Sequence, residues 1–194
     1  YGCAPAYIKY RLYWNFPLAF SPHKKHRVYV GSQFVHESDD DGQSWQIISP
    51  DLTRNEKSHQ QDSGGIAIDN LMTWDGAVLI SIEESEIEAG FIMTGSNDGL
   101  VHITRNYGES WENVSPNIPD LPEWGTISNI EISKHKKGTA YITVDLHHMG
   151  NFDPFVYKTS DYGKSWKKIS NSVPKSIHSF VHVVKEDPKK EGML

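Results

Sequence analysis

The chain has 194 residues, 37% apolar and 11% aromatic, and its 19 Lys and Arg against 25 Asp and Glu leave a net charge of −6. That is enough chain for one domain with a sizeable core, and it is too aromatic and too evenly charged to stay disordered. The acidic balance with only four arginines excludes the basic field that non-specific nucleic-acid or anionic-membrane binding needs, no stretch is apolar enough for a membrane-spanning helix, and the single Cys3 excludes an internal disulfide or a cysteine-clustered zinc site.

In chain order, short β-branched or aromatic runs bounded by Gly, Pro, Asn or charged turns predict strands, and no stretch keeps a 3.6-residue period over three turns. The first four strands are predicted at Leu18–Ser21, Val28–Gly31, Phe34–Ser38 and Gln46–Ser49. Between the third and fourth lies the octet SDDDGQSW (38–45), which returns as TRNYGESW (104–111) and TSDYGKSW (159–166). Its repeating positions are Ser38, Asp40, Gly42, Ser44 and Trp45; Thr104, Asn106, Gly108, Ser110 and Trp111; and Thr159, Asp161, Gly163, Ser165 and Trp166. Upstream of each octet come an apolar run, a charged turn and a second apolar run, from Pro17 to Ser32, Ile80 to Ser96 and Ile127 to Val144; a fourth such unit begins at Ser179. Ser21, Ser85, Ser133 and Asp187 hold the matched turn position, 64, 48 and 54 residues apart.

Four antiparallel strands in a repeat of roughly 40–50 residues is the pattern of a propeller blade. The expected architecture is therefore all-β, a partial β-propeller of four-stranded blades. Blade one is expected at 13–50, an inserted loop at 51–76, blade two at 77–116, blade three at 126–170, and the first strands of a truncated fourth at 178–194. The chain opens at Tyr1 without an initiator Met or a signal peptide and stops at Leu194 within an expected strand, so it is expected to be a piece of a longer protein. The remaining blades of that protein are then its first partners, and open sheet edges favour self-association.

Each octet reads as a tight hairpin. Gly42, Gly108 and Gly163 supply positive φ, while Asp40, Asn106 and Asp161 accept hydrogen bonds from the turn's own amides. Trp45, Trp111 and Trp166 are expected to bury between strands, so that removing any of the rings costs ~3–5 kcal/mol. A turn satisfied by its own residues is scaffold and needs no ligand. His36, His102 and Tyr157 fall two residues before each octet and read as blade packing. The basic turns at 23–27 and 134–137 read as solvated.

The octets are Asp-boxes, and the chain resembles the BNR/Asp-box propellers, which include sialidases, xyloglucan-type glycosidases, photosystem-assembly propellers and the sortilin ectodomain. The segments SWQIISPDLTRN (44–55), GSNDGLVHITRNYGESW (95–111), LPEWGTISNIE (121–131) and YKTSDYGKSW (157–166) resemble one subgroup more closely, the bacterial sortilin-like "glycosyl hydrolase" proteins with BNR repeats. The resemblance implies a secreted or periplasmic setting and a ligand funnel on the face opposite the Asp-boxes. Three elaborated loops would build that face: Asp51–Gly76, Pro116–Gly125 and Asp145–Pro154.

These loops supply the candidate residues. Asp51 and Asp145 are candidates for the carboxylate pair of a glycoside hydrolase. Trp14, Arg54, Trp74, Trp124, His147 and Asp153 are candidates for ligand contacts, with Trp14 and Trp124 able either to stack on a sugar or to pack at the propeller centre. His147 and His148 are adjacent; on an extended segment they point to opposite sides, which argues against a shared metal. No metal and no cofactor are expected. Sialidase chemistry is excluded, because Arg27 and Arg105 fall on the Asp-box side and no arginine cluster is left to grip a substrate carboxylate. The expected function is ligand or protein binding by a segment without its own complete active site, with a glycoside hydrolase or carbohydrate-binding propeller using the loop carboxylates as the alternative, and a glycan or a peptide as the possible ligand.

Overall fold

The computed structural model describes residues 5–61 and 76–194. Among them lie twelve strands: β1 Leu18–Phe20, β2 Val28–Gly31, β3 Val35–Ser38, β4 Gln46–Ile47, β5 Leu79–Glu84, β6 Ile92–Ser96, β7 Val101–Thr104, β8 Glu112–Asn113, β9 Thr126–Ile132, β10 Ala140–Leu146, β11 Asn151–Thr159 and β12 Lys167–Lys168. They form three antiparallel sheets of four strands, each ordered as the chain runs. β5 packs against β1 and β2 of the first sheet, and β9 against β5 and β6 of the second, so the innermost strand of each sheet lies on the sheet before it. This is a partial β-propeller, and the described residues contain no α-helix.

The three octets close by one hydrogen-bond pattern. The first hydroxyl donates to the Asp or Asn side chain, Ser38 Oγ to Asp40, Thr104 Oγ1 to Asn106 and Thr159 Oγ1 to Asp161, each at 2.8 Å. The same hydroxyl oxygen accepts from the Gly42, Gly108 and Gly163 amides at 2.8–2.9 Å. The Asp or Asn oxygen accepts from the Ser44, Ser110 and Ser165 amides at 2.8–3.0 Å. The glycines have φ of 89°, 92° and 77°, and the residues before them, Asp41, Tyr107 and Tyr162, are left-handed as well. Those residues are held there because their amides donate to the His26, Gly90 and Gly138 carbonyls of the neighbouring turn. Hydrogen bonds from the Ser44 hydroxyl and amide and from Ser38 hold the Asp40 carboxyl down to about 2.

The indoles then meet the preceding sheet. Trp111 Nε1 donates to Ile48 O at the end of the first sheet (2.8 Å), and Trp166 is buried in the cluster of Phe91, Met93, Val114 and Ile142. Trp45 departs from the expected burial: it is 45% exposed, along with Leu18, Phe20 and Ile47 on the same side of the first sheet. The described residues place no sheet before the first one, so its ring has nothing to pack on. Gly31 and Gly95 mark where the next inner strand crosses. A Cβ on Gly31 would lie 2.9 Å from Leu79 Cβ, and one on Gly95 would lie 2.4 Å from Ile127 Cγ2.

Side chains bridge these crossings. Tyr29 Oη donates to Glu84 (3.2 Å), His23 Nε2 bonds Ser85 O (2.7 Å), and the Ile132 amide donates to Glu83 (3.0 Å). Residues 181–187 form no ladder-paired strand, yet they lie against the third sheet through the same kinds of contact. Tyr141 Oη donates to Glu186 (3.0 Å), His135 Nε2 bonds Asp187 O (2.9 Å), and the Val184 and Glu186 amides donate to Asn129 and Glu131 (3.0 and 3.2 Å). The Asp187 amide donates to Met193 O at 2.8 Å, as Ser21, Ser85 and Ser133 donate to Arg27, Phe91 and Thr139.

Two outcomes follow. In chemical denaturation, Trp166→Ala costs ~3–5 kcal/mol by cavity formation, whereas Trp45→Ala, already half exposed, costs well under half of that; equal losses contradict the packing described. Burial between the second and third sheets, then the charge of Glu131, push the Glu83 carboxyl from 4.5 up to about 8. The folded chain thus keeps a proton that the unfolded chain has released, and stability falls as pH rises through that window. Melting temperatures at pH 5 and pH 9 drop less for Glu83→Gln than for the parent chain; parallel curves exclude this role.

Candidate functional site

A cavity of about 720 Å³ opens at the end of the sheets opposite the octets. Its floor comes from strand ends: Ile80 of β5, Asn97 just after β6, Thr126 and Ser128 of β9, and Asp145 and Leu146 of β10. Its rim comes from Tyr13 and Asn15, His59, Trp124, the turn His147–Met149, and His182.

Asp145 organises one wall. Its side chain is 4% exposed and both oxygens are engaged: Oδ1 accepts from the His147 amide (2.9 Å) and His147 Nδ1 (2.7 Å), and Oδ2 accepts from His182 Nδ1 (2.9 Å). Burial works against the charge, but the His147 amide and the two imidazoles outweigh it and hold the carboxyl below its usual value. A carboxylate only accepts, so both rings carry a proton on Nδ1. The His147 ring stacks on Phe180 at 4.7 Å and meets His148 at 3.8 Å. The extended geometry expected for this pair is corrected by the structure: His147–Met149 is a 3-10 turn, which swings the two rings to one side. Among the described residues, no group of three or more His, Cys, Asp or Glu has the geometry to hold a metal ion.

Trp124 forms the other wall. Its backbone is left-handed (φ 60°), an unusual state for a bulky residue. His59 stacks on its ring at 4.0 Å and 18°, and the Arg54 guanidinium lies 5.2 Å over it. Of the two expectations for Trp124, sugar stacking or packing, the structure shows its ring stacked against His59. Arg54 is anchored through Asp98, whose side chain accepts from the Arg54 amide and whose carbonyl accepts from Nε, both at 2.8 Å.

The remaining candidates lie elsewhere. Asp51 does not line the cavity; it pairs with the buried Arg11 (2.8 Å) and accepts from the Thr53 amide (3.1 Å), while Arg11 Nε donates to Ala77 O (2.8 Å). The pairing of Asp51 with Asp145 is thus not assembled. Trp14 is 63% exposed and Asp153 pairs with Lys175, and neither lines the cavity. Trp74 lies outside the described residues. Arg27 bonds Asp39 and Arg105 stacks on Tyr162 at 3.8 Å, so both are spent on the octet side. His59, His182 and Tyr13 were not anticipated, since each reaches the cavity from a segment distant in sequence. A histidine in a polar loop is the one sequence signal that could have found His59 and His182, and Tyr13 carries none.

No family model matches the sequence, and no curated protein matches it. Among solved structures, an ancestral GH74 enzyme superposes with a TM-score of 0.57 at 16% identity, over 82% of this chain and 18% of its own. The GH74 xyloglucanase from Xanthomonas campestris gives 0.53 at 18% identity, over 82% and 23%. YCF48 bound to a D1 peptide gives 0.49 at 14% identity, over 89% and 44%. The chain spans about a fifth of the length of the two GH74 enzymes, and at these identities the likeness is one of fold, that of a propeller.

Asp145→Asn leaves one imidazole facing an amide N–H₂ where it now meets an acceptor. The 15N spectra of His147 and His182 therefore lose the Nδ1–H tautomer in at least one ring, while circular dichroism still shows the sheets. Unchanged ring spectra would mean that Asp145 does not orient them.

Proposed function

We propose that this chain is a ligand-binding segment of a BNR/Asp-box propeller, and that its own residues bind and do not hydrolyse. The reading rests on the cavity opposite the octets and on its one carboxylate. Glycoside hydrolysis needs two carboxyl groups flanking the bond, one of them protonated to act as the acid. Among the described residues lining the cavity, Asp145 is the one carboxylate, it is held ionised, and both of its oxygens are engaged by histidine N–H groups and the His147 amide. Asp51, the other candidate, is paired with Arg11.

The cavity suits binding. Its size falls within the range of small-ligand and peptide side-chain sites, and it sets a few polar groups among aromatic and aliphatic ones. The ligand belongs to the classes a propeller funnel holds, a short stretch of peptide or a glycan, and the remaining blades complete the surroundings.

Titrating the 194-residue chain with short peptides and neutral oligosaccharides, read at the Asn97, Thr126 and Ser128 amides, shifts these signals for at least one ligand class without release of reducing sugar. Reducing sugar released by the parent chain and not by Asp145→Asn overturns the reading in favour of an enzyme.

A further inference from the structure

The cavity is uneven in charge. No Lys or Arg is among the described residues that line it. Asp145 keeps a full negative charge beneath it. His147 and His182 spend their Nδ1 protons on that carboxylate. Thr126 commits its hydroxyl proton to Asn97 O (3.2 Å), and the Ser128 hydroxyl is shared between His182 O (2.9 Å) and Thr143 Oγ1 (2.8 Å). The charge beneath the cavity is negative, and no Lys or Arg among the described lining residues offsets it. An anionic group would face that carboxylate uncompensated, whereas a cationic group of donors would be matched in charge.

The aromatic wall narrows the class. Tyr13, His59, Trp124, His147 and His148 line the cavity with rings, and Trp124 already has one guanidinium over its ring, that of Arg54 at 5.2 Å. Guanidinium is planar, carries five donors and no acceptor, and sheds water readily enough to lie on aromatic faces. The chain's net charge of −6 draws a cation toward it. A cavity of about 720 Å³ has room for an arginine side chain and the peptide backbone on either side of it.

We infer that the cavity accepts an arginine side chain presented by a partner peptide. This rests on the binding reading above and specifies its ligand. The test compares three capped tripeptides that differ only in the middle residue: arginine, its uncharged isostere citrulline, and glutamate. Each is titrated into the 194-residue chain and read at the Asn97 and Ser128 amides. The arginine peptide binds about tenfold more tightly than the citrulline peptide, the margin of charge-assisted over neutral hydrogen bonds, and the glutamate peptide binds weakest. Met149 lies on the rim and is 61% exposed, so Met149→Glu and Met149→Lys disturb little else. The first strengthens and the second weakens the arginine peptide by about two- to fivefold, the size of an exposed charge pair. Equal affinity of the arginine and citrulline peptides, or tighter binding of the glutamate peptide, overturns the choice of arginine while leaving a binding site in place. Cavity amides that respond to none of the peptides but to a neutral oligosaccharide exclude a peptide ligand, and amides that respond to neither overturn the binding reading itself.

Discussion

The structure depends on a side chain answering its own backbone. In each octet an Asp or Asn oxygen takes the amide of the Ser four residues on, while a Ser or Thr hydroxyl takes the amide of the glycine. Bent backbone must find partners, and here the turn supplies most of them locally, the fourth-position amide alone reaching the carbonyl of the neighbouring turn. The hairpin aims two groups outward, an indole and the residue at the fourth position, and these reach the adjoining turn and the preceding sheet. Arg27 over Tyr107 and Arg105 over Tyr162 use that fourth position to tie successive sheets together.

A different device works nearer the axis. The inner strands of successive sheets are not laddered to one another; carboxyl groups and phenols span the gap, as Tyr29 with Glu84, Glu83 with the Ile132 amide, and Tyr141 with Glu186. Glycine where the strands cross lets the sheets approach closely enough for these bridges to form. Because the last bridges involve residues 182–187, the same contacts that dock this segment bring His182 to Asp145. The cavity wall is thus a by-product of sheet stacking: its two histidines come from parts of the chain 35 residues apart and meet on one carboxylate.

Much of the scaffold was legible in the sequence, because it is written in local chemistry. The octets, the strands around them and the matched turns at Ser21, Ser85, Ser133 and Asp187 all draw on neighbours a few residues away, and the hydroxyl or carboxylate at each turn caps it as its type demands. The site was legible only in part. Trp124, Asp145 and His147 line the cavity as loop position suggested, but what each is bonded to depends on contacts far along the chain. Asp51 looked like a free acid because nothing near it in sequence announces Arg11, 40 residues away. Trp45 looked like its two counterparts because the octet does not record whether a sheet lies before it. Adjacent histidines looked divergent because a strand was assumed where a single 3-10 turn formed.

The central claim is that the octets are self-contained pins, and amide hydrogen exchange tests it most directly. Ser44, Ser110 and Ser165 are exposed on their hairpins, so their amides should exchange freely unless the Asp or Asn side chains hold them. The account predicts slow exchange at all three and at Gly42, Gly108 and Gly163, with Asp161→Ala freeing Ser165 and leaving Ser44 and Ser110 protected. Fast exchange at these amides in the parent chain would contradict it.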